Sequence, residues 1–187
     1  SEQAAIVDAK IYEEVKREFI RSRAYIVSEK DELEKLEGAV LNPEKTGANP
    51  DIVGKSALYI AKKAGLNVPE DTVLLIAELP EVGPKYPLSR EKLSPVLAML
   101  KAEDQEHAFK LCDDMLNLNG RGHTAIIHTF PDNADLIDEF GKRMDACRII
   151  VNSPSSIGGI GDLFNEMTPS LTLGCGSYGR NSISENV

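Results

Sequence analysis

Apolar positions along the chain recur in two alternating rhythms. Ile6, Val7, Ile11, Val15, Phe19 and Ile20 fall at helical spacing, which predicts one amphipathic helix over residues 2–21. Ala24-Tyr25-Ile26-Val27 is short and apolar and reads as a strand. Ser28, with Asp31 three residues on, forms a loose capping box that opens a second helix through about Leu41. Asn42-Pro43, Gly47 and Pro50 then break the pattern. A third helix is predicted from about Ser56 to Lys63, stopped by Gly65. Residues 72–79, TVLLIAEL, make a nearly continuous apolar run of the kind found in strands buried on both faces.

Pro80, Gly83, Pro84 and Pro87 form a rigid connector to a further strand over residues 95–100. Residues 103–118 read as a helix with its apolar stripe on Ala108, Phe109, Leu111, Cys112, Met115 and Leu116. Strands are predicted at 123–129 and 147–153, with a helix over 132–144 between them. Strands alternating with helices predict an α/β fold, a three-layer α/β/α arrangement around a mainly parallel sheet with right-handed crossovers. A length of 187 residues suits a single domain of this class. Residues 153–187 differ: they are glycine-rich, weakly periodic and loop-like. A tail of that kind can fold over a site at a sheet edge.

Charge narrows the partners. The formal net charge is -9, with Lys and Arg interspersed among Asp and Glu. Such a surface repels a phosphate backbone, so nucleic acid is not an expected partner. No apolar run approaches the roughly 20 residues needed to span a bilayer, so no membrane partner is expected either. The start carries no basic-then-apolar signal, and the chain opens on Ser1-Glu2 without a methionine, a hint of truncation. Cys112, Cys147 and Cys175 are odd in number and form no CxxC pair, and His107, His123 and His128 lack metal-ligand spacing. A disulfide scaffold and a metal site are both poor readings, and a reducing, cytoplasmic compartment fits best.

Single motifs leave the chemistry open. Gly174 to Gly179 satisfies GxGxxG, but no helix or acidic ribose partner follows before Val187, so it reads as a cluster of glycine turns. Gly158-Gly159-Ile160-Gly161-Asp162 either admits a ligand close to the backbone or simply makes a tight loop. His123, at a strand edge behind a glycine-rich loop, has the placement of an acid, a base or a hydrogen-bond donor, or of a structural histidine. His107 reads as solvated on the polar side of its helix. His128 reads as a packing or surface residue. Cys112 and Cys147 read as small hydrophobes. Cys175, between glycines, is placed like a reactive thiol, with nothing nearby to lower its pKa. Glu91 reads as an exposed loop carboxylate. Pattern alone gives a cytoplasmic α/β domain and no reaction.

Several longer stretches resemble the CoA-acylating branch of the aldehyde dehydrogenase superfamily. Glu91-Lys92-Leu93-Ser94-Pro95-Val96-Leu97 is similar to that superfamily's E-x-F-G-P-V-L segment, and Gly122-His123-Thr124-Ala125 with Ile126-Ile127-His128 to the G-H-T-A-x-I-H stretch of the acylating enzymes. The most specific match runs from Pro154-Ser155-Ser156 through Gly159 to Asn165 and from Pro169 to Ser177, then Asn181 to Val187. Ser1-Glu2-Gln3 resembles the residues after the nucleophile in a C-A-S-E-Q context. The likeness covers the whole chain and points in particular to the acetaldehyde dehydrogenase half of bifunctional aldehyde–alcohol dehydrogenases.

The resemblance implies the catalytic (nucleophile) domain of an NAD-dependent, acetylating acetaldehyde dehydrogenase, a part whose nucleotide-binding domain is absent. A cysteine thiolate attacks the aldehyde, hydride passes to NAD+, and coenzyme A displaces the acyl group from the enzyme thioester. Residue by residue, Glu91 would hydrogen-bond the nicotinamide ribose, Leu93 would pack near the nicotinamide ring, and His123 would lie near the nucleophile and the acyl or CoA site. Leu93 departs from the superfamily's phenylalanine and Ser94 from its glycine, which weakens the ring contact. The nucleophile itself belongs just upstream of Ser1, so the chain alone is expected to be inactive. No carboxylate base is expected, since CoA and not water resolves the thioester. In the full-length protein the likeness further implies a small aldehyde substrate, a homo-oligomer and a possible C-terminal iron-dependent alcohol dehydrogenase domain. Residues 153–187 would form an active-site and oligomerisation tail. Two other readings compete: a non-catalytic assembly module of such an oligomer, and a non-acylating aldehyde dehydrogenase, against which the G-H-T-A stretch argues.

Overall fold

A computed structural model describes residues 2–161 and Glu166. The chain divides into two compact units, Ser1–Leu118 and Asn119–Val187. In the first, β1 (Ala4–Asp8), β2 (Ala24–Val27), β3 (Leu74–Leu79) and β4 (Val96–Ala102) form a four-stranded sheet in the order β1-β4-β3-β2. Every neighbouring pair is parallel, with Ala4 opposite Ala98, Leu75 opposite Val96 and Ala24 opposite Leu74.

The side chains of the two central strands divide cleanly by parity. Leu75, Ala77, Leu79, Val96, Ala98 and Leu100 join one core with residues of α2 (Lys30–Val40), α3 (Ala57–Ala64) and α4 (Gln105–Asn119). Ile76, Leu97 and Met99 face the opposite way and pack with Tyr12, Val15 and Phe19 of α1 (Tyr12–Arg21). Helices on both faces make the three-layer arrangement, as the unbroken apolar runs require.

Caps explain the sharpest boundaries. Ser56 Oγ accepts the Tyr59 N–H at 3.3 Å at the start of α3, and Gly65 closes it in the left-handed conformation, φ +69°. Three expectations fail here. Residues 2–21 are not one helix: Ala4–Asp8 is a strand with five residues in register against β4, and the helix begins at Tyr12. Asp8 makes the break, its Oδ1 accepting the Lys10 N–H at 2.8 Å and its carbonyl the Ile11 N–H at 3.1 Å. Nor does Ser28 cap α2, whose N-cap is Glu29 with no side-chain cap bond. His107 is half-buried rather than free on a polar face: its Nδ1 accepts the Glu103 N–H at 3.2 Å at the head of α4.

One polar group interrupts the α1 face. Glu78, on β3, accepts from Tyr12 Oη at 2.8 Å and from Lys16 Nζ at 2.8 and 3.0 Å. Burial works to raise the Glu78 carboxyl, but the Lys16 and Tyr12 hydrogen bonds outweigh it and hold the group below its ordinary value. The Tyr12 phenol is pushed up, by burial first and then by Glu78.

In the second unit β5 (Thr124–Ile127) and β6 (Arg148–Val151) pair in parallel, linked through α5 (Ala134–Arg143). Both strands are shorter than predicted. Residues 155–158 form a short helix, α6 (Ser155–Gly158), where a loop-like tail is expected. The Gly174–Gly179 motif and Cys175 lie outside the described residues. Gly158 ends α6 and is closely packed: a Cβ there would stand 2.8 Å from Ile150 Cγ2 and 3.2 Å from Ser153 Oγ. Among the described residues no helix is long and apolar enough to cross a membrane.

Two measurements check this account. Gly158→Ala should lower stability by about 1–3 kcal/mol, because Ile150 is fixed in a strand and yields little; an unfolding midpoint equal to the parent's would refute the tight contact. Glu78→Gln should lose about 1–3 kcal/mol at pH 7. The folded Glu78 binds its proton less readily than the unfolded one. Its contribution is therefore present near neutrality and lost as pH falls below the unfolded carboxylate value near about 4. Denaturant titrations of parent and variant should converge on acidification, and a gap that ignores pH would show that the Glu78 charge contributes nothing.

Candidate functional site

The connector into β4 is proline-bracketed and builds a small self-supporting loop. Pro87–Ser89 makes one 3-10 turn. Ser89 Oγ donates to the Tyr86 carbonyl at 2.6 Å and accepts the Gly83 N–H at 3.2 Å. The Arg90 N–H bonds the Pro87 carbonyl at 3.0 Å. From there the chain presents alternate residues outward and inward: Glu91 and Leu93 are exposed and Lys92 is fully buried.

Leu93 is the strained point. Its φ is +50°, in the left-handed region that costs a leucine roughly 1–2 kcal/mol. Its carbonyl accepts the Gly54 N–H at 3.3 Å, and its side chain is 51% exposed. The strain therefore holds an apolar side chain out toward solvent. Glu91, two residues before it, is likewise exposed.

Lys92 anchors the loop from below. Its Nζ donates to the carbonyls of Arg90 at 2.7 Å, Leu88 at 2.8 Å and Gln3 at 3.4 Å, while its own N–H donates to Gln3 Oε1 at 2.8 Å. Burial pushes the ammonium down to about 7, and the neighbouring Glu91 charge opposes the shift. On either side Arg90 Nε and Ser94 Oγ are buried without a partner among the described residues. Neither Lys92 nor Gln3 stands out in the sequence.

His123 belongs to the other compact unit. It is half-buried at the bend before β5, and its carbonyl accepts the Cys147 N–H at 2.9 Å, extending the β5–β6 ladder. The glycines that precede it are both left-handed, Gly120 at φ +102° and Gly122 at φ +94°. The Gly122 N–H bonds the Asp145 carbonyl at 2.8 Å, and Arg121 Nη1 pairs with Asp145 Oδ2 at 2.6 Å. The loop thus fixes the histidine's backbone from both sides. Cys112 and Cys147 are half-buried. Among the described residues no cluster of His, Cys, Asp and Glu could hold a metal ion.

No family model matches the chain. The aldehyde-alcohol dehydrogenase of Streptococcus pneumoniae serotype 4 is 50% identical over 193 residues, a match that takes in all of this chain and 22% of that protein. The bifunctional aldehyde-alcohol dehydrogenase of Escherichia coli K12 is 44% identical over 190 residues, again over all of this chain and 21% of the relative. The crystal structure of an acetylating aldehyde dehydrogenase from Geobacillus thermoglucosidasius superposes with a TM-score of 0.89 at 40% identity, covering the whole chain and 40% of that structure. The chain therefore spans about a fifth of the length of the curated relatives it matches. Over its whole length the chain is thus similar in sequence to one part of the aldehyde–alcohol dehydrogenases, and in fold to one part of an acetylating aldehyde dehydrogenase.

Proposed function

We propose that the chain forms part of the catalytic domain of an NAD-dependent, CoA-acylating acetaldehyde dehydrogenase, converting acetaldehyde, CoA and NAD+ to acetyl-CoA and NADH. The observation that carries the reading is the exposed Leu93 on its left-handed backbone, next to the exposed carboxylate of Glu91. A flat apolar ring fits the one and a ribose diol the other. When bound, the nicotinamide supplies a hydride acceptor. Glu91 would hold the ribose by accepting its hydroxyl hydrogen bonds, and Leu93 would cover the ring and keep water from it. His123, held at the head of β5, would donate a hydrogen bond near the acyl or CoA position. The attacking cysteine would stand just before the Ser1-Glu2-Gln3 stretch, which resembles the residues that follow it in the acylating enzymes.

Nothing in this scheme needs a carboxylate base to activate water, because a thiol of CoA takes the acyl group from the enzyme thioester. The complete protein would work in the cytoplasm as a homo-oligomer, with or without a fused iron-dependent alcohol dehydrogenase. The names of the bifunctional relatives support that fusion.

NADH formation from acetaldehyde and NAD+, with and without CoA, tests the reading on the complete protein and on the 187-residue chain. Turnover only by the complete protein and only with CoA is expected. Turnover without CoA would return the non-acylating dehydrogenase, and turnover by the short chain would put the nucleophile inside it, at Cys175. In the complete protein Leu93→Gly should leave stability within about 1 kcal/mol, since relieved strain offsets the entropy that glycine loses on folding. The same change should raise the cofactor KM about tenfold through lost apolar contact. An unchanged KM would remove Leu93 from the ring site.

A further inference from the structure

We propose that Lys92 is a positioning residue: it ties the segment that follows the nucleophile's position to the loop that presents Glu91 and Leu93, and so sets the nicotinamide contact. The inference rests on the functional reading above and deepens it.

The geometry carries the argument. Gln3 meets Lys92 twice, through its carbonyl to Nζ and through its Oε1 to the main-chain N–H, across a sequence separation of 89 residues. Gln3 is itself pinned to the sheet, because its carbonyl also accepts the Ala98 N–H at 3.1 Å from β4. The remaining Nζ contacts gather the Leu88 and Arg90 carbonyls beneath the loop. With the Lys92 peptide drawn inward and the Leu93 carbonyl taken by Gly54, the backbone between them turns left-handed and throws the Leu93 side chain outward.

A fully buried lysine is a costly way to fill space, and an apolar side chain of similar volume would do it more cheaply. Its Nζ partners are main-chain oxygens of three residues, so what the ammonium supplies is a fixed relation between separate stretches of backbone. The flanking Arg90 Nε and Ser94 Oγ hydrogen-bond nothing among the described residues. Lys92 is the side chain that joins this loop to Gln3, while Ser89 and the Leu93 carbonyl hold its other parts. Both ends of the bridge lie at the amino edge of the sheet, before β1 and before β4. A shift of this loop would move Glu91 and Leu93 together relative to the thiol that forms the thiohemiacetal.

The test uses the complete protein carrying Lys92→Met, with steady-state kinetics and a fluorescence titration with NADH. Loss of the Nζ hydrogen bonds should raise the NAD+ KM and the NADH Kd each by about tenfold, with the CoA KM within about twofold of the parent. A lower melting temperature with cofactor KM and Kd unchanged would make Lys92 a core residue only and overturn the proposal. Should the methionine variant fail to fold, Gln3→Ala and Gln3→Glu take its place. The alanine variant should weaken NADH binding about threefold and the glutamate variant, which keeps an acceptor for the Lys92 N–H, should restore it. Equal binding by Gln3→Ala and the parent would overturn the proposal. A parent protein that neither binds NADH nor forms it from acetaldehyde and CoA removes the functional reading and this inference together. A parent that does both, with variants that match it, removes the inference alone.

Discussion

The register of β1 against β4 is the constraint on which the rest of the first unit depends. β4 and β3 are central parallel strands, and a strand in that position has both faces to bury. Leu75, Ala77 and Leu79 satisfy one face against α2 and α3, while Ile76 and Met99 satisfy the other against α1. The chain can complete that second layer only by crossing from β1 at one edge to β2 at the far edge, with α1 laid between them. Glu78 then fixes where α1 lies, because a carboxylate on that face must find donors and Tyr12 and Lys16 provide them. Pairing Ala4 with Ala98 has a second result: it brings Gln3, one residue before the strand, alongside the stretch that enters β4. The sheet and the candidate site are thus set by the same ladder.

Where a local signal and the tertiary demand agree, the sequence is legible. The apolar runs behind β3 and β4 are too continuous for a half-exposed strand and too short for a buried helix, and α3 carries both its stop and its start in Gly65 and Ser56. The first strand is the opposite case. Ile6 and Val7 continue the spacing of Ile11, Val15 and Phe19, so a period count runs straight through the turn at Asp8. Only β4, some ninety residues on, decides that Ala4–Asp8 is extended. Ser28 shows the converse, a good capping residue that goes unused because α2 starts at Lys30.

The candidate site is less legible than the fold. Glu91 and Leu93 enter through family likeness, and spacing alone leaves them as loop residues. The left-handed backbone of Leu93 has no sequence mark, since a leucine is among the residues least suited to it and no glycine stands there. Lys92 is hidden for another reason: hydrophobicity places lysine outside, and its burial follows from a partner at Gln3 that only the folded sheet brings near. His123 is the intermediate case. Its glycine-rich approach predicts a shaped loop, and the left-handed Gly120 and Gly122 supply it.

Candidate residues in parallel sheets are usually sought at the carboxyl ends of strands, where connections open into helices. Here Gln3, Glu91 and Leu93 stand at the amino ends of β1 and β4, and His123 at the amino end of β5. The lengths of the connections account for the reversal. β1 passes to α1 through Ala9 to Ile11, and β4 to α4 through Glu103 and Asp104 alone. Both junctions spend their polar groups on themselves: Asp8 accepts from Lys10 and Ile11, and Asp104 Oδ1 accepts the His107 N–H at 2.8 Å. Little is left there to meet a ligand. The connection into β4, by contrast, runs from Pro80 to Pro95 and has the length to raise a loop, bury its anchor and still expose two side chains. Prolines stiffen that loop, so the geometry it presents does not have to be ordered anew when a ligand arrives. The long, proline-stiffened entry to β4 is therefore where this topology has room for a candidate site, while the short turns after β1 and β4 are self-capped.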